Sequence, residues 1–340
     1  MKTRKLFFAL AVAIIAFASC SRENNDYPSN MEGDINNVHV TIHQGDLTRA
    51  FFGDSPVPEA WEKKINKLLI LVFSNETGLY QLYREVTQAE IVAGSFSFAL
   101  PGSFANKSYT FYALANSYVS LDKNSTMTFL EQVFDTGTYN GTIQEVTSKS
   151  VRSSGFTMSD KCQATINPDN ATNLTFTLKR TVAKVAIVTT VSQEFVNKYP
   201  GRIVIDNIRV SRSAVNTKIF EEPTVTNYSA MTYAYSQKSG IGVISNLFYL
   251  YENPKLDASQ RVLLTLTGFY DKDSVLETTD DQTPVEYVVR LNDADEGVIL
   301  RNSYYRIQLA ITGFSGNSVN ASVIVSDWSN PINIIEQLGD

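Results

Sequence analysis

The sequence predicts an all-β protein made of β-sandwiches, two in tandem with few short helices. Three observations carry that expectation. Apolar residues alternate with polar ones along most of the chain, the period of half-buried strands. These segments are short and separated by polar turns. Only two stretches show helical spacing, Ser125 to Phe134 and Ser192 to Tyr199, the second stopping at Pro200. Many short strands with few helices fold as sandwiches or barrels.

Taken in order, Val38, Val40 and Ile42 alternate with His39, Thr41 and His43, which predicts a strand with one buried face. Lys67 to Phe73 (KLLILVF) is a continuous apolar run, as expected of a strand buried on both faces. Alternation returns at Phe96-Phe98-Leu100, Tyr109-Phe111-Ala113-Ala115 and Leu174-Phe176-Leu178. It continues through Val185 to Val191, Ile203-Ile205, Val262-Leu264-Leu266 and Val285 to Leu291, then Tyr305 to Ile311 and Val319-Ala321-Val323-Val325. Lys179-Arg180 separates two strand patterns by two basic residues alone. That places a tight junction there, between domains spanning 50–178 and 179–340.

Upstream of these strands lies a targeting segment. Lys2, Arg4 and Lys5 precede an apolar run from Leu6 to Phe17, the length of a signal-peptide core and too short to cross a bilayer. Ala18-Ser19-Cys20 then supplies two small residues before a cysteine, the pattern a lipoprotein signal peptidase requires. Residues 1–19 therefore read as a lipoprotein signal peptide and Cys20 as the lipidated residue. Acyl chains there would hold the chain to a membrane, since each buried methylene contributes about 0.8 kcal/mol. The polar stretch 21–34 reads as a solvated tether, and residues 20–49 together as a propeptide.

Composition removes several kinds of chemistry. The net charge of -6 and the lack of a basic stripe argue against a nucleic-acid partner. With Cys20 acylated, Cys162 has no partner within the chain, so a disulfide framework is excluded. The only histidines, His39 and His43, lie near the N-terminus, which leaves the rest of the chain without a His-activated nucleophile or His-ligated zinc. No phosphate-binding Gly loop, GxSxG elbow or HExxH helix occurs. Acidic clusters stand at Asp271-Lys272-Asp273, Asp280-Asp281 and Asn292 to Gly297. The last offers alternating oxygens but lacks the remote bidentate Glu of a calcium loop, so it reads as a solvated turn. The expectation is no enzyme, no cofactor and no metal.

Two features at opposite ends of the chain belong together. Arg49 and Ala50, in LTRAFF, follow a Gly-Asp turn in a polar-flanked loop, where an arginine-specific protease could cut. Cleavage would remove the lipid anchor and the strand Val38–Ile42, leaving an apolar groove between two unpaired edges. At the other end, Val319, Ala321, Val323 and Val325 form a strand, and Ile332, Ile334, Ile335 and Leu338 keep the terminus apolar. A removable first strand and an apolar last one suit polymerisation by strand addition.

These residues resemble the fimbrillins of Bacteroidia-type (type V) pili. The resemblance runs through Cys20, LTRAFF at 47–52, KLLILVF at 67–73, SGFTMSD at 154–160 and LKRTVAKVAI at 178–187, then FYLYENP at 248–254, RNSYYRIQLAITGF at 301–314 and SVIVSDW at 322–328. It implies two transthyretin-like sandwiches and a lipidated precursor delivered to the outer-membrane surface. It implies cleavage between Arg49 and Ala50 by an arginine-specific protease. The C-terminal strand of a neighbouring copy, near 319–338, then replaces the first strand in an extracellular fimbrium that supports adhesion. Two readings stand beside that of a stalk subunit: an anchor or tip subunit, and a monomeric surface lipoprotein that binds glycans through exposed aromatics. A two-carboxylate glycoside hydrolase ranks behind both for want of a site.

Overall fold

A computed structural model of the protein describes residues 35–43, 60–135, 155–220, 228–234, 244–275, 277–316, 319–327 and 334–336. The signal peptide, Cys20, Arg49 and Ala50 lie outside them. Gly33–Asp340 forms one compact unit. The architecture is all-β, of sandwich type, as expected.

The first strands make two sheets. A small sheet has the order β4-β1-β8, formed by β1 (Ile35–His43), β4 (Ser95–Pro101) and β8 (Thr172–Thr177). A larger one has the order β3-β2-β5-β7-β9: β2 (Leu68–Ser74), β3 (Tyr80–Val86), β5 (Ser108–Ala115), β7 (Met158–Thr165) and β9 (Lys179–Arg180). Val38, Val40, Phe96, Phe98, Leu174 and Phe176 of the small sheet share one core with Leu68, Ile70, Val72 and Phe111 of the large one.

The later strands make two further sheets. One has the order β14-β10-β17-β19-β20, from β10 (Val182–Val191), β14 (Ile244–Tyr251), β17 (Ser303–Ile311), β19 (Val319–Asp327) and β20 (Ile334–Glu336). The other has the order β13-β11-β15-β16-β18, from β11 (Arg202–Ala214), β13 (Tyr228–Ala234), β15 (Leu263–Asp271), β16 (Gln282–Arg290) and β18 (Ser315–Gly316). Their facing residues, among them Val185, Ile187, Ile205, Leu264, Tyr287 and Ile307, form a second core. A short ribbon pairs β6 (Phe134–Asp135) with β12 (Thr217–Lys218).

The expected run of burial in KLLILVF has a clear cause. Leu68, Ile70 and Val72 face the first core, while Leu69, Leu71 and Phe73 face a separate cluster with Leu130 and Ile219. The strand at 109–115 differs from its half-buried expectation. Tyr112 and Leu114 are buried as well, because that same cluster covers the outer face of the sheet. β10 is likewise enclosed: Val185 and Ile187 point into the second core, and Val182 and Ala186 into the first.

Helices are short, as expected, but their limits differ. Of Ser125 to Phe134 only Met127–Glu131 (α2) is helical, and Phe134 turns into strand β6. Gln193–Lys198 (α3) starts at Ser192, whose hydroxyl accepts from the Phe195 N–H at 3.2 Å. A helix beyond the two expected ones spans Gln88–Ala93 (α1). Its capping box, Thr87 with Glu90, and its left-handed C-terminal Gly94 (φ 70°) are both legible in the sequence. Among the described residues no helix is long and apolar enough to cross a membrane.

Buried charges tie the two cores together. The Lys184 ammonium lies 3.0 Å from Glu62 Oε1, and both side chains are fully buried. The Tyr249 hydroxyl donates to the same carboxylate. Arg180 Nε donates to the Glu62 carbonyl at 2.8 Å, and its Nη1 to Asn302 Oδ1 at 2.8 Å. Trp61 packs against Phe156 and Tyr249, with ring centroids 5.5 and 5.8 Å away.

Candidate strand-exchange site

β1 is the middle strand of its sheet. It pairs antiparallel with β4 from Ile35↔Pro101 to Thr41↔Ser95, and parallel with β8 from Val38↔Thr172 to His43↔Thr177. Among the described residues, β4 and β8 are thus joined only through β1. The alternation expected of 38–43 is present: Val38, Val40 and Ile42 are buried, and Asn37, His39 and His43 are exposed.

Among the described residues, two side-chain contacts join β1 to β4 beside the ladders. Asn36 Nδ2 donates to the Pro101 carbonyl at 2.9 Å, and His39 Nδ1 lies 3.1 Å from Ser97 Oγ. The Ile42 N–H donates to the Gly94 carbonyl at 2.8 Å, so the end of α1 sets one end of the slot. Gly94 closes α1 in the left-handed region, where a side chain would be strained. The Arg84 guanidinium crosses the Phe96 ring at 4.6 Å and bonds Glu90 at 2.5 Å, which braces β4 from outside. Burial alone would raise the Glu90 carboxyl. Hydrogen bonds from Arg84 and Thr87 outweigh it and hold the group below its usual value.

The residues expected at the other end of the exchange are ordered in their own sheet. Val319, Ala321, Val323 and Val325 lie in β19, which pairs antiparallel with β17 from Ser303↔Asp327 to Ile311↔Val319. β20 is an edge strand that pairs with β19 through Val323↔Glu336, Ile324↔Ile335 and Val325↔Ile334. The acceptor slot and the tail belong to different sheets. The described residues do not include Cys20, Arg49 and Ala50, the expected sites of lipidation and cleavage. Cys162 is half-buried in β7 and free, its thiol pushed up to about 12 by burial and the Asp160 carboxylate.

Comparison with known proteins agrees with this architecture. Residues 53–197 match the family model of the major fimbrial subunit protein (FimA). A fimbrilin (FimA) from Porphyromonas gingivalis W83 superposes with a TM-score of 0.58 at 18% identity, over 91% of this chain and 100% of that one. The tip fimbrial protein Mfa3 from Porphyromonas gingivalis, truncated at its C-terminus, gives 0.52 at 14% identity over 86% and 100%. A fimbrial assembly protein from Parabacteroides distasonis ATCC 8503 gives 0.50 at 13% over 89% and 99%. No curated protein matches the chain by sequence. At these identities the structural likeness speaks for the fold alone. The family match spans less than half of the chain, and over that part the chain is similar to major fimbrial subunit proteins.

Proposed function

We propose that the chain is a stalk subunit made as a lipoprotein precursor and polymerised by strand exchange. Lipidation at Cys20 holds the precursor to the outer membrane. An arginine-specific protease cuts between Arg49 and Ala50, releasing residues 20–49 with β1. The C-terminal segment of another copy, within 319–338, then fills the slot between β4 and β8. On this reading the mature chain is two tandem transthyretin-like sandwiches, 50–178 and 179–340, and the fimbrium serves adhesion.

The observation that carries the reading is the placement of β1 between two strands that do not pair with each other. Removing it exposes two ladder edges and the core beneath Val38, Val40 and Ile42. Each such side chain contributes about 1.5–3 kcal/mol when buried, so the open slot favours any strand of matching pattern. Within 319–338, β20 holds its own sheet by three residue pairs and β19 by nine along β17. The terminal part of the tail is therefore the part released with least loss.

The test is limited digestion of the soluble chain with an arginine-specific protease, followed by N-terminal sequencing and gel electrophoresis without boiling. A new N-terminus at Ala50 with a ladder of detergent-resistant multimers is the expected result. Resistance at Arg49, or cleavage that leaves a stable monomer, would shift the assignment to an anchor or tip subunit.

A further inference from the structure

The turn between β15 and β16 brings three carboxylates together away from the β1 slot. Asp271 ends β15, Asp273 follows in the loop, and Asp281 stands just before β16; their ligand oxygens lie within 4.8 Å of one another. Proximity alone would not make a site, since acidic turns are common at surfaces. Asp271, however, is fully buried, and its Oδ1 accepts no hydrogen bond. Asp281 Oδ1 is buried without a donor as well.

The second oxygen of each of these groups is already taken. Asp271 Oδ2 accepts from Arg202 Nε and Nη2 at 3.2 and 3.1 Å. Asp281 Oδ2 accepts from the Asp273 N–H at 2.8 Å. Asp273 Oδ1 accepts from the Val275 N–H at 2.8 Å and its Oδ2 from the Thr278 hydroxyl at 3.2 Å. The oxygens left without a donor are Oδ1 of Asp271 and Oδ1 of Asp281. A buried carboxylate oxygen without a donor is costly, and such an atom calls for a water or an ion. Three carboxylates beside one guanidinium leave a formal surplus of two negative charges, which one divalent cation neutralises.

We propose that Asp271, Asp273 and Asp281 form a calcium site at the β15–β16 turn. Calcium takes oxygen ligands at about 2.4 Å in flexible geometry, so oxygens up to twice that distance apart can share one ion. Magnesium, with bonds of about 2.0–2.1 Å and strict octahedral demands, suits the span less well. The backbone is fitted to the spot: a side-chain carbon at Gly201 would come within 2.5 Å of the Asp271 carbonyl oxygen and 2.7 Å of the Tyr270 hydroxyl. Calcium sites in extracellular modules work at about 0.1–1 mM, the range in which this one would be filled. The proposal does not depend on strand exchange.

The test is thermal unfolding of the purified full chain, stripped with chelator and titrated with calcium chloride. A rise in Tm of about 2–4 °C at millimolar calcium is expected. It should be lost in Asp273→Asn and Asp281→Asn and kept in Asp280→Asn, a neighbour outside the cluster. No rise up to about 10 mM calcium, or an equal rise in both Asn variants of the cluster, overturns the proposal. Should either variant fail to fold, the parent chain is titrated with terbium, excited through its tyrosines. Luminescence that calcium displaces upholds the site, and its absence overturns it.

Discussion

At the scale of single residues, the sharpest test of the fold is the pair Glu62–Lys184. Neither side chain reaches water, so removing one partner leaves a buried charge alone. Lys184→Met should destabilise the chain by about 3–5 kcal/mol, whereas joining it to Glu62→Leu should recover much of that loss. Chemical denaturation of the three variants measures both steps, and additive losses would show that the two groups do not act as a pair. Lys184 was not legible as a buried residue, because VAKVAIV reads equally well with lysine pointing outward. What buries it is Glu62, far away in sequence, along with the Tyr249 hydroxyl. Asp271 escaped for the same reason: its burial depends on Arg202 and on the bare backbone at Gly201.

Glu90 adds a pH prediction at the same scale. Its folded pKa lies below its ordinary value, so its ion pair and cap stabilise the fold above the unfolded carboxylate pKa and are lost as pH falls through the folded one. The stability gap between the parent chain and Glu90→Gln should be constant near neutral pH and shrink below about pH 4. A gap that grew on acidification would show the sign to be wrong.

Among the elements, β1 and β10 make an instructive pair. Each opens its set of strands, and each lies between an antiparallel neighbour (β4, β14) and a parallel one (β8, β17). Only β1 keeps a solvent face; β10 is enclosed on both sides by the two cores. The topology thus has two comparable central strands, and only one of them can leave without opening both cores. Val40→Ala should lower the stability of the unprocessed chain by about 1–3 kcal/mol. It should leave the heat resistance of assembled fibres unchanged, since β1 would no longer be present in them. Fibres that share the defect would argue that β1 stays in place. At the other end, Val323→Asp should abolish normal multimers, either through misfolding of the β17–β19 ladder or through a failed exchange. Normal ladders from that variant would count against the donor role of the tail.

Strands with strict alternation or an unbroken apolar run were readable in advance. β3, β7, β13 and β14 were not. In β3 and β7 (YQLYREV and MSDKCQAT) charged residues interrupt the apolar ones, because one face of each meets solvent along part of its length. Sequence periodicity also could not say that β5 is covered twice, which depends on Leu130 and Ile219 arriving from distant segments.

For the whole molecule, the proposed exchange would set a balance between precursor and open subunit. Loss of Val38, Val40 and Ile42 from the first core removes several kcal/mol at about 1.5–3 kcal/mol each. A processed chain kept from polymerising should therefore melt well below its precursor. A synthetic peptide of residues 33–44 added in trans should recover the lost stability and suppress multimer ladders. Equal melting of the two forms would mean that β1 contributes little. Trp61 and Glu62 are themselves held by Arg180, Lys184 and Tyr249.

The mixed pairing of β1 reaches further than the single subunit. A strand taking its place runs parallel to one of β4 and β8 and antiparallel to the other whichever way it enters, since those two run in opposite directions, and each copy offers the same slot and the same tail. Every copy in an assembly built this way points the same way along the axis. Such a filament has polarity and two unlike tips: one displays a vacant slot, the other a tail still folded on its own sheet. Growth, capping and attachment to the cell would each be tasks for one tip and not the other.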